Sequence, residues 1–253
     1  MIRSIAIFVF ALTMSALVVA QQPAGRGAQV PPTPRAQSPI DLTGDWVSVI
    51  TEDWRWRMVT PPKGDVSSIP VTAEARKVAD GWDPARDTAA GEQCKSYGAP
   101  AIMRVPGRIR ISWENDTTMR LDTEAGTQTR LFRFGAAQTP AAAAAPGYQG
   151  NSQATWQIVG GRGRGAAPRG GSLTVVTTGM RPGYLRKNGV PYSERARVTE
   201  YYTATNEPNG DRWLIITTVV EDPVYLNAKF ITSTNFKKVA NGSSWTPTPC
   251  EAT

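Results

Sequence analysis

The chain has 253 residues, a net charge of +7, two cysteines and no histidine. The missing histidine excludes Ser-His-Asp and Cys-His machinery and the common histidine-based zinc and iron sites, which leaves acid–base chemistry to Asp, Glu, Tyr, Lys or Arg. Arg3, Arg26, Arg35, Arg162, Arg164 and Arg169 fall in the N-terminal region or in a glycine-rich loop, so the remaining body carries only about +1 and lacks the basic face of a nucleic-acid binder.

The N-terminus reads as a secretory signal over residues 1–20. Arg3 is its charged start, Ile5–Val19 its apolar run, and Val18-Val19-Ala20 a small-residue cleavage site. The apolar run is too short for a stable membrane span. Cleavage after Ala20 would leave a mature protein in the periplasm or outside the cell. In that setting Cys94 and Cys250 are expected to form one disulfide, a structural staple from the last residues to the first third of the chain. Closing so long a loop is worth about 4–5 kcal/mol in a chain-entropy treatment. Gln21–Pro39 is rich in Pro, Gly, Ala and Gln, and reads as a disordered tail.

The folded body is expected over residues 40–253. Leu42–Ile50 reads as a first strand. The dense Trp54-Arg55-Trp56-Arg57 segment either lines a site or forms a strand with one buried face. Thr72 caps a short helix over Ala73–Asp80, stopped by Gly81. Gly107–Glu114 alternates, with Ile109, Ile111 and Trp113 on one face. Met119–Asp122 and Thr127–Phe134 complete a three-strand meander.

Residues 135–150 and 160–171 read as low-complexity insertions. The second (GGRGRGAAPRGG) joins the strands Ala154–Val159 and Ser172–Thr178. It is no phosphate cradle, because a strand rather than a helix follows it. Arg212–Asp222 is apolar and β-branched on both faces, and reads as a strand covered on both sides. Arg197–Ala204 and Lys229–Lys238 are its expected antiparallel neighbours. The whole predicts an all-β fold: an antiparallel barrel of about 8–10 strands with one short helix.

Three passages carry a family resemblance. They are Cys94 through Pro100-Ala101-Ile102-Met103 to Gly107–Glu114; Leu173–Thr178 with Tyr192-Ser193-Glu194 and Val198-Thr199-Glu200; and Val220-Glu221-Asp222-Pro223 with Pro249-Cys250-Glu251. Their order and spacing resemble a group of exported bacterial proteins with a lipocalin-like (calycin-type) barrel, largely uncharacterised. The resemblance implies that fold and a Cys94–Cys250 bridge. Tyr192 stands where relatives often carry histidine, and the Gly160–Gly171 loop is longer than theirs.

The densest polar-aromatic stretch, Arg181–Glu194, joins two strands and should lie at a barrel rim, where ligand contacts concentrate. Arg181 and Arg186 could clamp a carboxylate or phosphate. Tyr184 and Tyr192 could stack on a ring, and Glu194 could accept hydrogen bonds. With Trp54 and Trp56 these are the candidate ligand contacts. Glu221 and Asp222 point to opposite faces of a strand, so they make no catalytic pair.

The leading expectation is a small apolar or amphipathic ligand held in the barrel lumen, with no cofactor and no metal. A second is a histidine-independent cyclase, isomerase or lyase using Tyr192, Glu194, Glu200 and Arg181. A third is a protein-interaction module built on the Arg/Gly loop and the Pro-rich tail.

Overall fold

The structure, a computed structural model, describes residues 31–135, 147–160, 170–242 and 244–252. The chain divides into Met1–Pro31, of which only Pro31 is among the described residues, and the compact unit Pro32–Thr253. The expected signal and cleavage site therefore lie outside the described residues, as do most of both low-complexity insertions. No helix of the described residues is long and apolar enough to cross a membrane.

Eleven strands follow in sequence order: β1 Gly44–Val49, β2 Arg108–Asn115, β3 Thr118–Thr123, β4 Thr129–Phe134, β5 Asn151–Val159, β6 Gly170–Thr178, β7 Gly183–Arg186, β8 Val190–Tyr192, β9 Arg197–Asn206, β10 Arg212–Glu221 and β11 Phe230–Val239. Nine of them close a barrel in the order β1-β11-β10-β9-β6-β5-β4-β3-β2, and β7 and β8 pair separately as a hairpin. The predicted barrel, the meander β2–β4 and the antiparallel neighbours of β10 are all present.

One pairing departs from the expected antiparallel order. β4 and β5 are parallel, with Phe132 opposite Ser152. A parallel pair needs a connection that crosses back to the starting end, and residues 136–146 of the connection between these strands lie outside the described residues.

Among the described residues three α-helices form rather than one: α1 Trp54–Arg57, α2 Ala73–Asp80 and α3 Pro84–Ala89. α2 begins and ends as predicted, with the Thr72 hydroxyl accepting from Ala75 N–H and Gly81 at its C-terminus. α3 has Pro84 in its first turn and Asp83 accepting from Ala85 and Arg86 N–H. α1 corrects the strand reading of the Trp/Arg segment. Asp53 adopts the left-handed conformation (φ 51°), which an aspartate tolerates, and its carbonyl receives the N–H groups of Trp56 and Arg57.

β10 does not have two covered faces. Leu214, Ile216 and Val220 are fully buried inward, while the residues between them stay half-buried on the outer wall. Inside the barrel, Trp46, Leu121, Phe132, Leu173, Tyr202 and Leu214 each have 0 % of their surface open to water. These large side chains face one another across the barrel interior. Buried beside these apolar side chains are the charged pair Arg130 and Glu200 and the hydroxyls of Ser152 and Thr177, so the barrel interior expected from the strand pattern to hold a ligand is lined by large and polar side chains together.

Both ends of the barrel are covered. Pro32–Pro39, read from sequence as tail, lies within the compact unit at one end. Arg35 N–H donates to Asp116 O, and Trp156 Nε1 donates to Pro34 O. At the other end the three helices, the β7–β8 hairpin and the C-terminal segment build a cap with its own core, including Ile69, Leu185, Val190, Tyr192, Leu226 and Phe230. Tyr192 sits in that core against the bare backbones of Gly98 and Gly183, where an added Cβ would collide with its ring oxygen.

Gly98→Ala should therefore lower stability by about 1–3 kcal/mol, read by chemical denaturation. The same change at Gly147, whose nearest neighbour is 4.0 Å from the added Cβ, should be close to neutral. The Tyr192 hydroxyl has no hydrogen-bond partner, so adding Tyr192→Phe to Gly98→Ala should restore most of the loss.

Candidate functional site

The cap contains a cleft of about 320 Å³. Its walls come from four places in the sequence. α1 and the residues after it supply Trp56, Arg57, Met58 and Val59. The irregular connector supplies Tyr97, Arg104 and Pro106. The hairpin supplies Leu185, Arg186 and Lys187. The C-terminus supplies Thr248, Pro249 and Glu251. Four of these residues are cationic and one is acidic, and Glu52, Asp53 and Asp65 stand close behind the arginines.

Three of the cations are buried: Arg57 is 7 % exposed, Arg104 9 % and Arg186 6 %. Each is held by the residues around it. Arg57 donates from Nε to the Arg104 carbonyl (3.0 Å) and pairs through Nη1 with Glu52. Arg104 pairs through Nη2 with Asp53 (2.9 Å) and lies over the Phe230 ring. The left-handed turn at Asp53 thus places two successive carboxylates, Glu52 and Asp53, against two different arginines. Arg186 has carbonyls rather than a carboxylate: it donates to Asp65 O and Ser67 O, and stacks on the Trp56 ring at 5.2 Å. Next to it, Asn188 ties the same loop down through Pro62 O and Asp65 O, and Trp56 Nε1 donates to Asp65 Oδ2.

The guanidiniums repel one another. Burial first, and then the Arg104 charge, pushes Arg186 down to about 10. Burial also pulls Arg57 below the usual arginine range; Glu52 opposes this and Arg104 reinforces it. Both groups remain protonated at neutral pH. A cation whose folded pKa lies below its unfolded value costs stability in full at every pH below the folded value, and the cost fades as pH rises from the folded value to the unfolded one. An anion entering the cleft would offset that cost. Arg57 Nη2 and Arg104 Nη1 are buried with no acceptor, a condition that costs about 1–3 kcal/mol each.

The candidates named from sequence are scattered over this framework. Trp56 and Arg186 come together in the cleft wall. Trp54 is exposed and is not among the residues that line the cleft. Tyr184 lies apart, its hydroxyl donating to Asp87 Oδ2 and its ring under Lys95. Arg181 pairs with Glu92 at the surface and lies over Tyr148. Tyr192 is in the core of the cap, Glu194 is exposed, and Glu200 is inside the barrel. The four residues considered for catalysis thus occupy four separate environments, and none of them lines the cleft.

Sequence alone does not single out Arg57 and Arg104. Arg57 stands in the Trp/Arg segment, but Arg104 lies in a connector without periodicity, and its partner Asp53 is 51 residues away.

Cys94 and Cys250 form a disulfide, with Cα atoms 5.0 Å apart. It sits beside the cleft and fixes the C-terminal wall, where Glu251 N–H donates to the Tyr97 hydroxyl and Thr248 N–H to Glu124 O. Compared with protein-family models, curated proteins and solved structures, the sequence and its fold match none.

Proposed function

We propose that this protein is an exported, lipocalin-like barrel that binds a small organic anion, a carboxylate or phosphate with an apolar body, in the cleft of its cap rather than in its lumen. The observation that carries the reading is the cluster Arg57, Arg104 and Arg186. These are three buried guanidiniums with two carboxylates between them, two of them with an N–H lacking any acceptor. A buried guanidinium with an N–H left without an acceptor is stabilised by an incoming anion. Trp56, Tyr97 and Pro106 offer the apolar body a surface. The packed lumen supports the choice of the cap. The disulfide, and the absence among the described residues of a helix able to cross a membrane, fit an extracytoplasmic location.

The test is calorimetric titration and thermal shift of the protein from Gln21 onward against carboxylates and phosphates, each beside its neutral ester. Anions should bind and raise Tm, whereas esters should not. Arg104→Met should weaken binding about 10- to 100-fold, the worth of one charge-assisted hydrogen bond, while the circular dichroism spectrum stays unchanged. Equal binding of acids and esters, or no loss in the variant, would end this reading.

A further inference from the structure

The cleft does not end at its rim. Trp54, Met58 and Val59 are 65 %, 59 % and 67 % exposed, among the few large apolar side chains the surface presents. Trp54 and Met58 are four residues apart, and Met58 N–H donates to Trp54 O, so both stand on one face of the α1 turn. Met58 and Val59 line the cleft. Trp54 shares that face with Met58 and extends the exposed apolar surface beyond the lining residues. The result is a gradient from buried positive charge, through an aromatic and aliphatic throat, to an open apolar lip.

A cleft of about 320 Å³ stands at the lower end of the range for small-molecule sites and cannot enclose a long hydrocarbon. We infer that the ligand is an amphiphile: an acidic head group at Arg57, Arg104 and Arg186, and an unbranched hydrocarbon tail that leaves the cleft and lies over Met58, Val59 and Trp54. The inference rests on the anion-site reading and adds the tail. Charge complementarity sets the polarity of the ligand, because the groups left without a partner among the arginines are N–H donors, Arg57 Nη2 and Arg104 Nη1. Exposed apolar side chains contiguous with a binding cleft mark where further apolar ligand surface is covered.

Straight-chain carboxylates from hexanoate to dodecanoate, used below their micellar concentrations, test this by calorimetry on the intact protein from Gln21 onward. Complete burial of one methylene corresponds to about fourfold in affinity. A lip that covers one side of the tail should give about twofold per methylene. Trp54→Ser removes only the outer lip and should leave hexanoate binding unchanged while flattening the gain toward dodecanoate. Dodecyltrimethylammonium, with the same tail and the opposite charge, should not bind.

If hexanoate binds and dodecanoate binds no better, or if the gain survives Trp54→Ser, the tail inference is overturned while the anion site stands. If the ammonium binds as well as dodecanoate, the head-group charge plays no part and the anion site falls. If no carboxylate of any length binds, the anion site itself falls, and the tail inference with it.

Discussion

Replacing Arg130 with methionine should lower the stability of the barrel by about 3–5 kcal/mol, the largest loss expected from a single substitution in this protein. Arg130 on β4 and Glu200 on β9 are not neighbours in the sheet; they meet across the lumen. Both side chains are 0 % exposed. The pairing is bidentate, with Nη1 to Oε1 at 2.8 Å and Nη2 to Oε2 at 2.5 Å. Thr177 accepts a further bond from Nη2, Tyr202 donates to Glu200 Oε1, and Ser152 bonds Thr177. Burial pulls the Arg130 guanidinium down, but Glu200 and then Tyr202 override it and hold its charge above the ordinary range.

Methionine fills much of the arginine's volume but strands a carboxylate in a medium that solvates it poorly. The double change Arg130→Met/Glu200→Leu removes both charges together and should recover most of the stability, because a matched buried pair is worth little against apolar residues of similar size. Urea denaturation of the two variants and the parent measures this. A single variant as stable as the parent would mean that the lumen admits water to Glu200, contrary to its packing.

Glu200 also illustrates what could be read from the residues and what could not. Alternation in Val198–Tyr202 places it on a strand, and that strand is present. Its chemistry depends on Arg130, 70 residues away in sequence, with no local sign of the pairing. The same limit explains Arg104 and Asp53. Trp56 and Arg186 are legible because each sits in a locally dense aromatic and cationic stretch.

Strand alternation gives the inward face of a barrel but not its filling, since an apolar inner face serves a cavity and a core equally well. Here the volumes of Trp46, Phe132, Tyr202 and Phe236 decide for a core. The parallel β4–β5 pair has no sequence signature, because strand direction is set by where a long connection leads, not by the strands it joins. The α3 helix does carry a readable signal, Asp83-Pro84 at its start. The α1 turn does not, because alternating Trp and Arg over four residues fits either period.

Removing the disulfide, as Cys94→Ser/Cys250→Ser, should cost about 5 kcal/mol in a chain-entropy treatment of a ring this long, which is about 10–20 °C in Tm for a domain of this size. The bridge joins residues 156 apart. It closes a segment that returns from β11 along the outside of the barrel. Gly242 N–H donates to Asp45 Oδ2, Trp245 covers the Arg110 guanidinium that Asp45 pairs with, and Thr246 N–H donates to Glu124 Oε1. These contacts persist without the sulfur link, so the native fold of the double serine variant should keep the segment in place as far as Thr248.

Beyond Thr248 the hold is the bridge itself and the bond from Glu251 N–H to Tyr97. Pro249 and Glu251, which complete one wall of the cleft, should loosen together. The expected pattern is therefore unequal: a large fall in Tm and a moderate, several-fold weakening of anion binding at temperatures where the variant is still folded. Because Arg57, Arg104 and Arg186 are anchored by Glu52, Asp53 and the Asp65–Ser67 loop rather than by the C-terminus, the weakening should fall well short of that caused by Arg104→Met. A double serine variant that loses anion binding as completely as Arg104→Met would place the head group against the C-terminal wall instead of the arginines.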